Sequence, residues 1–108
     1  MTQYAVAFDL DTEVLEARYG VASWRNAYGD IQKRLQRHGI SRQQGSVYFG
    51  DEHVNAVTCT IAIMDLTNTF PWFSHAVRDI RMLRIEEDND LRPIIEQTLR
   101  QNPSATSV

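Results

Sequence analysis

Asp9 and Asp11 are the first acidic residues of this 108-residue chain, and they end the stretch Tyr4-Ala5-Val6-Ala7-Phe8-Asp9-Leu10-Asp11. A carboxylate held at the end of a rigid strand can act as a general base or acid, or help to hold a divalent cation against a phosphate. The plainer reading is that both residues only stop the strand and open a turn, because Asp bonds readily to local backbone. Tyr48, His38, His53 and His75 are the other side chains able to move a proton. The three histidines are isolated from one another and from any cysteine, which predicts surface positions for them. Cys59 is the only cysteine, so the chain can form no disulfide within itself and no cysteine-rich metal site, and a small buried role is expected. No glycine-rich phosphate loop is present, which argues against nucleotide hydrolysis.

Charge is unevenly placed. The net charge of −3 excludes bulk attraction to nucleic acid, but not a local basic strip. Arg25, Lys33, Arg34, Arg37 and Arg42 fall in the first half, while Asp51, Glu52 and the run from Glu86 to Asp90 are acidic. The first helix is therefore the better candidate for a phosphate-facing surface, against the alternative of an ordinary solvated helix face. Composition, 43% hydrophobic and 23% charged, is that of a globular domain. No apolar run reaches the roughly 20 residues that span a bilayer, and the amino terminus lacks an export-signal pattern. The cytoplasm is the expected location, and no membrane partner is expected.

These residues need elements to position them. Tyr4 to Leu10 is apolar on both parities up to Asp9, the pattern of a central strand. Residues 12–22 read as a polar connection with a short helical turn at Val14 and Leu15. Ser23 is a helix cap, Trp24, Ala27, Tyr28, Ile31 and Leu35 recur at helical spacing, and Gly39 stops a helix from about Trp24 to His38. Gly29 within it suggests close backbone packing. Ile40 to Gly50 reads as a strand or a short hairpin bent at Gly45-Ser46. Asp51 is expected to cap a second helix running to about Leu66, with Val54, Val57, Ile61 and Met64 on its apolar side. Phe70, Trp72 and Phe73 are expected to plug the core around Pro71.

Val77 to Ile85 reads as a last strand whose broken alternation suggests a bulge. Asp88 is expected to cap a helix over Leu91 to Arg100, with Leu91, Ile94, Ile95 and Leu99 as its stripe. The order is that of an α+β, ferredoxin-like βαββαβ sandwich with an added C-terminal helix. One domain spans 1–101, followed by a flexible tail over 102–108. Both helices then cover one sheet face, and a homodimer with sheets facing is the economical cover for the other.

Ala7-Phe8-Asp9-Leu10, the Gln44-Gly45-Ser46-Val47-Tyr48 turn, and Pro71-Trp72-Phe73 followed by Val77-Arg78-Asp79-Ile80-Arg81 together resemble the virulence-associated protein D (VapD) family. The similarity runs from about Tyr4 to Leu91. It implies a homodimeric endoribonuclease similar in fold to the second CRISPR-associated protein, acting on single-stranded RNA or mRNA as the toxin of a toxin–antitoxin pair. The family's strand-end aspartate falls on Asp9, and its small polar residue after the glycine on Ser46; with Tyr48 these are the candidate catalytic residues.

Two copies of Asp9 near a two-fold axis could hold Mg²⁺. The metal-free route instead has an RNA 2′-hydroxyl attack the adjacent phosphate, with a base and an acid drawn from Asp9, Tyr48 and the histidines. Arg25, Lys33, Arg34, Arg37 and Arg78 are the expected RNA-phosphate contacts. The expected partners are RNA, a second copy and a cognate antitoxin. The alternative function is a non-catalytic homodimer of the same fold that binds nucleic acid or serves as a scaffold.

Overall fold

The computed structural model describes residues 2–19 and 23–102. The parity of the first strand decides the architecture. In β1 (Gln3–Leu10), Val6, Phe8 and Leu10 are buried and point to one side, while Asp9 is exposed on the other. β1 pairs antiparallel with both β3 (Val47–Gly50) and β4 (Val77–Ile85), and β2 (Ile40–Gln44) extends the sheet beyond β3. The order β2-β3-β1-β4 is the ferredoxin-like arrangement expected from the sequence.

The helix layer lies on the side of Val6 and Phe8. Ala27, Ile31 and Leu35 of α2 (Asn26–Gln36) and Cys59, Ala62 and Leu66 of α3 (Ala56–Thr69) close one core with Ile40 and Tyr48. Trp72 and Phe73 plug its end, with Phe70 stacked on Trp72 at 5.0 Å between ring centroids. Two glycines shape the turns. Gly39 has φ +78°, and a Cβ there would come within 2.7 Å of the Asp51 carboxylate. Gly45 has φ +51° and leads a two-residue loop with Ser46, the arrangement of a II′ hairpin turn whose twist matches the strands.

Several expectations need correcting. Thr12–Tyr19 is a full helix, α1, rather than a connection; Asp11 caps it by accepting from the Glu13 and Val14 amides at 3.0 and 3.1 Å, and Leu15 is sealed in the core. The remainder of the expected connection, 20–22, lies outside the described residues, as do residues 103–108 of the expected tail. The helix expected from Trp24 is α2 and starts at Asn26 with no side-chain cap, while the Ser23 carbonyl accepts from the Asn26 amide in the turn before it.

The third helix is capped by Asn55, whose side chain accepts from the Thr58 amide at 2.9 Å, whereas Asp51 serves a local turn through the His53 amide. α3 also presents a different face. Val57, Ile61 and Met64 are 66%, 52% and 59% exposed, because the small side chains of Cys59 and Ala62 are the ones that let this helix approach the sheet. The last helix, α5 (Arg92–Gln101), begins after Asp90, which accepts from the Arg92 amide, so Asp88 does not cap it. A short helix, α4 (Phe73–Ala76), leads into β4. Between Asp9 and Leu10 the β1–β4 register passes from Asp79 to Val77, leaving Arg78 as the extra residue of a bulge, as the broken alternation suggested.

Every residue from Glu86 to Asn102 is exposed, so α5 stands away from the core. The radius of gyration, 17.7 Å, reflects that projection, since a compact chain of this length has about 13 Å.

Candidate active site at the end of β1

Asp9 lies opposite Asp79 on the face of the sheet away from α2 and α3. Like charges directly opposite in an antiparallel pair repel. Arg81, two residues along β4, relieves that repulsion: its Nε donates to both Asp79 oxygens at 3.0 and 3.3 Å. Asp79 is therefore engaged, while the Asp9 carboxylate has no protein partner among the described residues and stays open to solvent. Bulges re-aim side chains, and this one sets exposed Arg78 beside the same strand end. The hairpin turn borders the other side, where the Ser46 carbonyl accepts from the Phe8 amide at 3.2 Å.

The structure thus brings Asp9, Arg78 and the Ser46 turn to one end of the sheet. Tyr48 points the other way: it pairs in register with Val6 and its ring stacks on Phe8 at 5.5 Å, on the helix-covered face. The basic residues of α2 are also on that side. Arg25 is exposed and lies over the Trp24 ring at 4.7 Å. Lys33 and Arg37 are exposed beside Thr69 and Phe70. Arg34 is engaged within the protein, its Nε and Nη2 donating to the two oxygens of Asp65 at 2.7 and 2.9 Å. The sheet separates these groups from Asp9 within one protomer.

Asp65 also meets His38 Nε2 at 2.7 Å and accepts from the Thr69 hydroxyl at 3.1 Å. Arg34 first, then His38, hold its carboxyl well below the usual carboxylate range. His38 is thus half-buried in an ion-pair cluster rather than free on the surface, while His53 and His75 are exposed as expected. Cys59 is buried as expected, and burial pushes its thiol pKa up, away from reactivity. Sequence reasoning missed Asp79 and Arg81 as neighbours of Asp9, since only strand register joins residues seventy positions apart. It missed the His38–Asp65 contact because only the packing of α2 against α3 brings those residues together.

For a metal, no group of three or more His, Cys, Asp or Glu side chains converges among the described residues. Mg²⁺, however, is commonly held by only one or two carboxylates, with waters and substrate phosphate completing its shell. Asp9 offers one such carboxylate, while Asp79 opposite it is taken up by Arg81. No helix among the described residues is long and apolar enough to cross a membrane.

A four-stranded antiparallel sheet covered by helices on one side, with an unpaired carboxylate at the end of its first strand, defines an α+β protein of ferredoxin-like class. No protein-family model matches the chain. It is 49% identical over 96 residues, covering 89% of this chain and 99% of the relative, to a Helicobacter pylori protein named endoribonuclease VapD homolog. It is 45% identical over 92 residues, covering 85% and 98%, to endoribonuclease VapD 2 of Riemerella anatipestifer. Endoribonuclease VapD of Dichelobacter nodosus is 38% identical over 93 residues, covering 86% and 97%. The chain belongs to the VapD family.

Proposed function

We propose that this protein is an endoribonuclease that cleaves single-stranded RNA as a homodimer, with Asp9 acting at the scissile phosphodiester. The observation that carries the activity is the name endoribonuclease on relatives 45–49% identical over nearly their whole length. Asp9 is the acting group because its carboxylate is exposed at a strand end and unengaged, while Arg81 occupies its neighbour Asp79. An ionised carboxylate there can take the proton of an RNA 2′-hydroxyl as that oxygen attacks phosphorus; the bond from phosphorus to the 5′-oxygen of the next nucleotide breaks, that oxygen takes a proton from water, and a 2′,3′-cyclic phosphate is left. Arg78 supplies positive charge beside the phosphate. If Mg²⁺ is used, Asp9 would hold it together with Asp9 of the partner subunit, and the ion would supply charge neutralisation at the phosphate.

Homodimer formation is supported by unfinished apolar surface. On the open sheet face Ala5 pairs in register with Phe49 and Leu83, and Ala7 with Val47. Leu83 is 48% exposed, and in α5 Leu91, Ile94, Ile95 and Leu99 are exposed along one stripe. The role as a toxin with a protein antitoxin rests on the family resemblance, and action in the cytoplasm on the export-signal pattern missing from the amino terminus.

The test is incubation of purified protein with a 5′-labelled single-stranded RNA, with Mg²⁺ or with EDTA. Discrete fragments are expected, and the EDTA lane separates metal-assisted from 2′-hydroxyl chemistry. Folded, dimeric protein that binds the RNA without cutting it would replace this reading with the binding module.

A further inference from the structure

A cavity of about 370 Å³ lies between α2 and the β2–β3 hairpin, lined by Tyr28, Gly29, Gln32, Arg42, Ser46 and Tyr48 among others. Its volume falls in the range of small-ligand sites, roughly 300–1,000 Å³. We infer that this cleft receives one nucleobase of the bound RNA, next to the phosphate presented to Asp9; the identity of the ligand rests on the ribonuclease reading.

Three features point to a ligand. Tyr48 is only 2% exposed as a residue, and its hydroxyl, which has no hydrogen-bond partner among the described residues, is the part left open to solvent, at the cleft. A bound polar edge can therefore pair with it without breaking any bond within the protein. Burial raises the Tyr48 pKa, so the hydroxyl stays protonated and able to donate.

Gly29 is the second feature. A glycine inside a helix costs about 1 kcal/mol relative to alanine, and close packing would be the usual compensation. Here a Cβ would meet nothing within 4 Å, so the expectation of close backbone packing at Gly29 fails. Its missing side chain instead leaves one wall of the cleft open.

The third is the donor set. Arg42 Nε donates to the Gly45 carbonyl at 2.9 Å, which fixes the guanidinium plane and leaves its terminal nitrogens available. With the Gln32 amide and the Ser46 and Tyr48 hydroxyls, the cleft offers donors and acceptors of the kind used to read base edges, and no carboxylate lines it. Ser46 joins the cleft to the active site: its carbonyl is bound by the Phe8 amide, one residue before Asp9. A nucleotide draped over the hairpin turn would put its phosphate on the side of Asp9 and its base in the cleft.

The test is titration of ¹⁵N-labelled protein with each of the four ribonucleoside 5′-monophosphates and with inorganic phosphate. At least one nucleotide should shift the amides of Gly29, Gln32, Gly45 and Ser46, and phosphate alone should not. Tyr48→Phe should weaken that binding about ten-fold, the equivalent of one hydrogen bond. Gly29→Leu, which has room to fold, should abolish it with the unfolding temperature maintained. Shifts mapping elsewhere, shifts reproduced by phosphate, or a Gly29→Leu variant that binds like wild type would each overturn the assignment. Cleavage assayed in parallel separates the two readings. Binding in the cleft without cleavage by wild type sinks the ribonuclease and keeps the site, whereas cleavage without binding in the cleft sinks the site alone.

Discussion

On the helix-covered face of the sheet, Ile31, Leu35, Ile40 and Leu66 are sealed, and Asp65 gathers Arg34, His38 and Thr69 into one cluster. On the opposite face an Asp9–Asp79 pair stands exposed at one end, Leu83 is half-exposed, and no residue of α5 is buried. The first face seals its core within one chain and so carries the stability of the protomer. The second has charge and apolar area still unmatched, which is where substrate and a second subunit have something to gain by binding.

That contrast can be broken most forcefully by truncating side chains on each side. Ile31→Ala or Leu15→Ala should cost about 2–5 kcal/mol in denaturant unfolding, the range for fully buried aliphatics. Ile94→Ala in α5, measured at concentrations where the protein is monomeric, should stay within about 0.5 kcal/mol. Similar losses from both would mean that α5 packs on its own domain. Ile95→Asp addresses assembly directly. In sedimentation it should shift the protein to monomer, and an unchanged dimer would remove α5 from the interface.

A smaller effect concerns the Asp65 cluster. Its carboxyl is depressed below the ordinary value of 3.8, so its stabilising contribution is complete above that value and is lost as pH falls further toward the depressed one. Asp65→Asn should therefore melt below wild type at pH 7, with the gap closing as the solution is acidified past pH 4. A gap that held constant into strong acid would show that the carboxylate charge contributes nothing. Smallest of all, Gly29→Ala should raise stability by about 0.5–1 kcal/mol, since its Cβ enters free space. A loss would mean that the helix needs glycine there for its own packing.

Much of this was legible because local patterns carry it. Period-2 apolarity marked β1, Gly45-Ser46 marked the hairpin, and broken alternation marked the bulge at Arg78. The outward face of α3 was not legible, because that helix is apolar on several sides and the approach to the sheet selected the small residues Cys59 and Ala62. α1 was hidden by its polarity, with Leu15 the one side chain that it seals. At the site, Asp9 stood out from its place at a strand end. Asp79 and Arg81 did not, since they join it only through pairing of the first and last strands. Tyr48 was visible as a proton-bearing group near the turn, but which face it takes follows only from its register with Val6.

The central claim is that Asp9 performs the cleavage, and single-turnover cutting of a labelled single-stranded RNA by wild type and Asp9→Asn tests it most directly. The variant should lose at least about 100-fold in rate, the low end for removing a general base, while its dimerisation, RNA binding and melting temperature remain those of wild type. Cleavage within a few-fold of wild type by a clean preparation of Asp9→Asn would contradict the account and return Asp9 to the role of a strand terminator.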